Sequence, residues 1–336
     1  MSQEKFDEKK DSVQDSRAYR QEVLANYGFI PTSVLIMKMT NKHGITEFGR
    51  KQAAVSKEAT YERLKRKYNG DEVLIRQDLG LRGHISGQTV RGKDGGLSIF
   101  PAELCRFVMQ FYSDEGDIVL DPMAGHNSRM QMTWKMGRHY IGYDVCHEFM
   151  EFNRDVANKI QNAEGALLAL SDTDITLHEQ SSEKMVENND SVDLVFTSPP
   201  YWCIEFYDDS PGQMGLNSTY EEFMKRMTEV FREALRVLKP GKFCVWNVND
   251  FRYKGKFYPY HVDTIAAAVA AGFDIWDTGI VKWGAKGGFG KIFIRDNMKR
   301  KVLGKDHEYL LIFKKPEQLN DTNNRPVEVM DDDEEN

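Results

Sequence analysis

Apolar positions between residues 98 and 316 fall into two alternating textures. One is a short unbroken apolar run, which predicts a buried strand; the other repeats every three to four residues, which predicts an amphipathic helix. "PAELCRFVMQFYS" (101–113) reads as a helix and "DIVLD" (117–121) as the strand after it. The turn "PMAGHNS" opens another helix, strand "YIGYD" (140–144) follows, and a helix begins near His147. A polar span leads to "ITLHEQ" (175–180) and then to the apolar strand at 192–197. The longest amphipathic pattern runs from Thr219 to Leu238 and ends at "KPGK", where proline and glycine stop a helix. Strand "FCVWNV" (243–248), a helix over 261–271 and two last strands, 273–283 and 308–315, complete the series. Such alternation implies an α/β fold, a doubly wound and mostly parallel sheet with a C-terminal antiparallel strand pair.

Outside this region the texture changes. Residues 1–97 read as an N-terminal extension: a polar start, a strand in "FIPTSVLIMK" (29–38), a basic helix over 50–68 and a glycine-rich charged loop from Gly80 to Gly96. The domain boundary falls near residue 97. Residues 317–336 read as an acidic, disordered tail. The formal charge of the chain is −7, of which Asp331, Asp332, Asp333, Glu334 and Glu335 supply most, so the body is close to neutral. Global charge therefore says nothing for or against a polyanionic partner, and local charge must decide. Cys105, Cys146, Cys203 and Cys244 form no CxxC pair and have no histidine at zinc-ligand spacing, which argues against a structural metal. The N-terminus is too charged for a signal peptide. No apolar run approaches the ~20 residues that cross a bilayer. These features predict a soluble, cytoplasmic protein with no metal and no membrane partner.

Two strand ends carry candidate chemistry. In open α/β sheets ligands sit beyond the carboxyl ends of the strands. "DIVLDPMAGHNS" places Asp121 at such an end, followed by the small residues Ala124 and Gly125, which let a backbone approach a ligand. The next strand ends in Asp144, an acidic residue placed to take ribose hydroxyls. "VDLVFTSPPYW" (192–202) ends a buried strand in two prolines. These remove two N–H donors and fix φ twice, and Ser198 before them is driven to extended backbone. The result is a rigid rack of acceptors, the Ser198 hydroxyl and one or two carbonyls, with Tyr201 offering a flat face on which a ring can stack. An aromatic ring bearing an exocyclic amine fits this rack, and a nucleobase is the obvious candidate.

On these residues the chain resembles the amino-methylating DNA methyltransferases, which act on cytosine N4 or adenine N6. "TSPPYW" is similar to their motif IV and "VLDPMAGHNS" to their S-adenosylmethionine motif I. "SIFPAELCRFVMQFYSDEGDIVLDP" resembles motif X running into motif I, and "HEYLLIFKK" their last strand. The resemblance covers residues 98–316 in the order X, I, IV and implies a Rossmann-like methyltransferase sheet. It also implies S-adenosylmethionine as cofactor and double-stranded DNA as partner. Carried over, Asp121, Pro122, Ala124 and Gly125 would line the methionine moiety. Phe100 and Pro101 would form the motif X wall, and Asp144 would hold the ribose. Ser198, Pro199, Pro200 and Tyr201 would hold the flipped base. The chain departs from the pattern at His126 and Asn127, where glycine is usual; asparagine tolerates the left-handed conformation, so the turn is expected to survive. The adenine-contact motif is also altered, with Ser181, Asp172 or Asp174 as replacements.

The resemblance implies direct transfer. Hydrogen bonds from the amine to Ser198 and the Pro199 carbonyl would localise the nitrogen lone pair, and positioning supplies much of the rate. No covalent intermediate is needed, so Cys203 is read as a packing residue. A base within a duplex must first be flipped out. Ser before Pro-Pro leans towards cytosine N4 over adenine N6 in the family. Two basic segments could meet phosphates. Residues 282–305 hold Lys286, Lys291, Arg295, Lys299, Arg300 and Lys301 with Lys282 and Lys305, against Asp296 alone, and helix 50–68 is the second. The competing classes are an RNA or protein amino-methyltransferase and a catalytically inactive DNA-binding descendant. A nicotinamide-dependent dehydrogenase leaves "TSPPYW" unexplained.

Overall fold

The computed structural model describes residues 18–25, 29–37, 65–66, 69–70, 100–161, 173–204, 211–215, 218–283 and 291–317. The expected basic helix at 50–68 lies outside these residues except for Lys65 and Arg66, and so does the acidic tail beyond residue 317. The elements in chain order are β1 (Val34–Met37), α1 (Ala102–Tyr112), β2 (Ile118–Asp121), α2 (Ser128–Lys135), β3 (His139–Tyr143), α3 (His147–Gln161), β4 (Ile175–His178), β5 (Val192–Thr197), α4 (Tyr220–Val237), β6 (Leu238–Val248), β7 (Phe251–Tyr253), β8 (Lys256–Tyr258), α5 (Tyr260–Ala271), β9 (Asp274–Trp283), α6 (Lys291–Arg300) and β10 (His307–Lys314).

Eight strands form one sheet in the order β1-β9-β10-β6-β5-β2-β3-β4. Strands β6, β5, β2, β3 and β4 run parallel; β10 is antiparallel to both β6 and β9. β1 pairs in parallel with β9, so this piece of the N-terminal extension is an edge of the same sheet. The chain reverses direction of winding between β2 and β5, which makes that junction the topological switch point.

The continuous apolar run of β5 follows from burial on both faces. Leu194 and Phe196 pack with Leu104, Cys105, Val108 and Met109 of α1. Val195 points the other way, into a cluster with Phe223, Met227, Phe231 and Trp246. Successive side chains of a strand alternate faces, so a strand covered on both sides must be apolar throughout. α4 starts as its sequence dictates: the Thr219 hydroxyl accepts from the Glu222 N–H (3.1 Å) while the Glu222 carboxylate accepts from the Thr219 N–H (2.7 Å). Its end differs from expectation. "KPGK" is not a connecting turn, because β6 begins at Leu238 and Gly241 (φ +75°) is accommodated within the strand as its N–H donates to the Lys315 carbonyl. A short hairpin, β7–β8, is a further addition to the expected series.

Lys315 ties the end of α4 to the sheet. It is buried, and its Nζ donates to the Leu235 and Leu238 carbonyls (both 2.7 Å) and to Asp190 Oδ1 (2.6 Å). Lys315→Met removes these bonds and strands two carbonyls. The expected loss is about 2–3 kcal/mol in urea unfolding, and a loss under about 1 kcal/mol would contradict this account. Among the described residues no helix is long and apolar enough to cross a membrane. No group of His, Cys, Asp and Glu among them could hold a metal ion.

Candidate functional site

One cleft runs along the carboxyl ends of the parallel strands and on to the start of β10. Because β10 is antiparallel to its neighbours, its first residues lie at the same sheet edge as the last residues of β6 and β5. The cleft therefore spans residues far apart in the chain, from Gln180–Ser182 beyond β4 to Glu308 in β10.

The half over β2, β3 and β4 is built on the first turn. Gly125 has φ +50°, a left-handed conformation that suits glycine, and a Cβ there would meet nothing nearer than the Met123 carbonyl at 4.0 Å. Its N–H donates to Asp144 Oδ2 (2.8 Å), and Asp144 Oδ1 accepts from the Cys146 N–H (2.8 Å). Asn127, which departs from the family pattern, was expected to adopt the left-handed conformation. It does not: it is right-handed (φ −62°), and Gly125 alone makes the bend. The turn is further held by buried Asn153, whose amide donates to the Gly125 carbonyl (2.9 Å). His126 stands on the cleft wall with its ring against Phe149, centroids 4.6 Å apart.

Phe100, Pro101, Pro122, Gly125 and Asp144 all line the cleft; Asp121 and Ala124, expected to line it too, stand behind the wall. The reason is Arg129, a residue that belongs to no motif. Asp121 has no exposed surface, and its carboxylate accepts from Arg129 Nε (2.6 Å), the Thr197 hydroxyl (2.7 Å) and the Tyr140 hydroxyl (3.0 Å). Arg129 also donates to the Met123 and Ala124 carbonyls (2.7 and 3.1 Å), and its guanidinium lies over the Phe100 ring. Burial alone would lower the Arg129 pKa, but the Asp121 charge and hydrogen bond hold it above its ordinary value. Burial likewise pushes the Tyr140 hydroxyl well up, so it remains a donor. One buried ion pair thus fastens the motif I turn to the strand that ends in motif IV. Ser181 lines the cleft beside Ser182, whereas Asp174 is engaged below it, its N–H donating to His139 Nδ1 (3.0 Å); Asp172 lies outside the described residues.

These residues fit S-adenosylmethionine. They supply an exposed glycine backbone, a carboxylate beyond the second strand, apolar walls at Phe100 and Phe149, and hydroxyls at Ser181 and Ser182. They are what a ribose flanked by an adenine and an amino-acid moiety would need.

The half over β5, β6 and β10 is built on motif IV. Ser198, Pro199, Pro200 and Tyr201 all line the cleft. The Pro200 carbonyl accepts from the Tyr260 hydroxyl (3.2 Å). Tyr201 meets Phe251 and Tyr260 edge-on, at 6.2 and 5.9 Å, an arrangement that fixes the ring. Trp202 turns away at a positive φ (+45°), a strained conformation for a bulky residue. Its indole N–H donates to the Ser218 carbonyl (3.1 Å), and its ring packs on Tyr220, Tyr253 and Tyr258. The two aromatic residues after Pro-Pro therefore differ in role, since Tyr201 faces the cleft and Trp202 anchors the loop. The far wall carries Asn247, Asn249, Asp250 and Glu308. Asn247 Nδ2 donates to Glu308 (2.7 Å), and its buried Oδ1, like that of Asn249, has no partner among the described residues. Asp250 is held by His261 and by Lys305, whose pKa burial pushes down to about 8 against the pull of Asp250.

The second half of the basic segment 282–305 holds the helix α6, and Lys282 and Lys305 are paired with Asp306 and Asp250. Arg295, Lys299, Arg300 and Lys301 are exposed; Lys291 begins the helix, and Lys286 lies outside the described residues, as do Phe289 and residues 205–210.

The family model described as DNA methylase, of the N6/N4 class, matches residues 38–155 and 192–336. The Type II methyltransferase M.SfiI of Streptomyces fimbriatus is 34% identical over 62 residues, 18% of this chain and 14% of that protein. M.MthZI of Methanothermobacter thermautotrophicus is 30% identical over 159 residues, 40% of this chain and 43% of that protein. The chain thus spans less than half the length of these relatives. A SAM-dependent methyltransferase from Methanosarcina mazei, 13% identical, superimposes on 66% of this chain and 100% of its own with a TM-score of 0.43.

Proposed function

The chain belongs to the N6/N4 DNA methylase family, and we propose accordingly that it methylates an exocyclic amine of a base flipped out of double-stranded DNA, cytosine N4 in preference to adenine N6. The observation that carries this reading is the single cleft. The residues suited to S-adenosylmethionine and the acceptor rack at Ser198–Tyr201 line one continuous wall across the β2/β5 switch point. Phe100, Pro101, Pro122 and Gly125 would hold the methionine end of the cofactor, and Asp144 would take the ribose. When bound, S-adenosylmethionine supplies an electrophilic methyl group on sulfur.

The chain's own residues arrange the nucleophile. An exocyclic amine is weakly nucleophilic because its lone pair is delocalised into the ring. The Ser198 hydroxyl and the Pro199 carbonyl accept its two N–H bonds, which favours a pyramidal nitrogen with its lone pair directed at the cofactor half. Tyr201 stacks on the ring; stacking of this kind contributes about 1–3 kcal/mol per base. The N–C bond formed would replace the methyl–sulfur bond, whose electron pair goes to sulfur to leave a neutral thioether, and the amine nitrogen gives up one proton to solvent. Cytosine is favoured by the serine ahead of Pro-Pro.

Incubation with S-adenosylmethionine and duplex DNA of varied sequence, followed by digestion to nucleosides and mass spectrometry, is expected to yield N4-methylcytosine. N6-methyladenine would overturn the base assignment, and methylation of RNA alone would overturn the DNA assignment. Ser198→Ala removes one acceptor and is expected to lower kcat about 10- to 100-fold, the cost of a hydrogen bond worth about 1.5–3 kcal/mol. Cofactor affinity should be unchanged.

A further inference from the structure

The hairpin β7–β8 stands at the mouth of the cleft, and we propose that it grips the phosphates of the DNA strand beside the flipped nucleotide. This inference rests on the DNA methylation reading above and assigns it a contact surface. The stretch "FRYKGKFY" (251–258) contains Arg252, Lys254 and Lys256 and no acidic residue. All three cations are exposed. Several other surface cations are answered by carboxylates, as in Arg226–Glu183, Arg236–Glu233 and Lys239–Asp193. Among the described residues no carboxylate answers these three. Three such cations within five residues, on a chain of net negative charge, make a local basic patch that suits an anionic partner.

The hairpin is rigid and pre-shaped. Lys254 and Gly255 both have positive φ (46° and 84°), the signature of a two-residue turn whose twist matches the strands it joins. Pairing of Phe251 with Tyr258 and Tyr253 with Lys256 directs one face inward, where Phe251 lines the cleft and Tyr253 and Tyr258 pack on Trp202. The other face carries the opposed pair Arg252 and Phe257, with the guanidinium 5.0 Å from the ring centroid. Lys254 lies over Tyr253 and Lys256 over Tyr258 at 5.2 and 5.0 Å. The cations are thus ordered by aromatic faces before any partner arrives, which lowers the entropic cost of binding. The anchor of this hairpin is Trp202, the residue next to Tyr201. A strand held by the hairpin is therefore held in fixed relation to the acceptor rack.

Duplex DNA affinity of the full chain and of R252Q/K254Q/K256Q should be measured by fluorescence anisotropy over a salt series. Each neutralised phosphate contributes about 0.9 to the slope of log K against log salt, so the variant's slope should be shallower by about 2–3. At physiological salt its affinity should be on the order of 100-fold weaker. R252K/K254R/K256R, which keeps the charge, should keep the slope. S-adenosylmethionine affinity and thermal midpoint should not move in either variant, which separates lost contacts from lost folding. An unchanged slope in the glutamine variant overturns the hairpin assignment even where the wild-type chain methylates DNA. A wild-type chain with no salt-dependent affinity for duplex DNA overturns it as well. Methyl transfer to DNA is read separately, so failure of the underlying activity registers on its own.

Discussion

Gly215→Ala is expected to lower methyl transfer about 100-fold while leaving cofactor affinity nearly unchanged. A Cβ at residue 215 would lie 2.0 Å from the Trp202 carbonyl oxygen and 2.5 Å from its carbon. Both are backbone atoms, so no side-chain rotation relieves the overlap, and the loop after Pro-Pro must move. Trp202 is already strained at positive φ and is bound on three sides by aromatic rings. The displacement therefore passes to Tyr201 and the Ser198 rack, where a misplacement of about 1 Å costs on the order of 100-fold in rate. Steady-state kinetics with S-adenosylmethionine titration would check it. A variant with wild-type kcat would show that the loop yields without carrying Tyr201 with it.

The second large effect concerns stability. Asp121→Asn and Arg129→Met each leave one buried charge without its counter-ion. Breaking such a pair costs about 3–5 kcal/mol, because the remaining charge is desolvated and unanswered. For a domain of this size that corresponds to a fall in Tm of roughly 10 °C. The double variant is expected to lose much less than the sum, since removing both charges also removes the penalty. Arg129→Met should in addition weaken cofactor binding, because the Met123 and Ala124 carbonyls lose the donor that shapes the turn. Chemical unfolding of the four proteins gives the coupling energy directly. Additive losses would mean that Asp121 and Arg129 contribute independently and that the ion pair does not fasten the turn to β5.

The strands, the helices and the two strand-end motifs are legible in the sequence because each is a local property. A buried strand must be apolar throughout, a capping box needs only Thr219 and Glu222, and Pro-Pro stiffens the backbone wherever it occurs. Gly125, Asp144 and Ser198–Tyr201 can be read for the same reason: each sits at the end of a strand, and strand ends are where an open parallel sheet presents ligand sites. What cannot be read depends on register and on contacts across the sheet. Nothing in "HNSRM" says that Arg129 will turn inward onto Asp121, since an arginine near a helix start is as often solvated; the pairing exists because the turn after β2 brings the first residues of α2 back to Asp121. Asn247 and Glu308 are 61 residues apart and meet only because β10 enters the sheet antiparallel to β6. The hairpin's few residues are too short for a periodic signal, and its place beside Trp202 comes from the closing of the chain around the cleft. Backbone preference and hydrophobic period act over a few residues, so the chain alone already carries the family, the order of the elements and the residues presented at the strand ends. Which charges are locked inside, which glycine the loop after Pro-Pro requires and which cations stand unpaired at the cleft mouth are set by neighbours distant in the chain, and only the folded sheet brings those together.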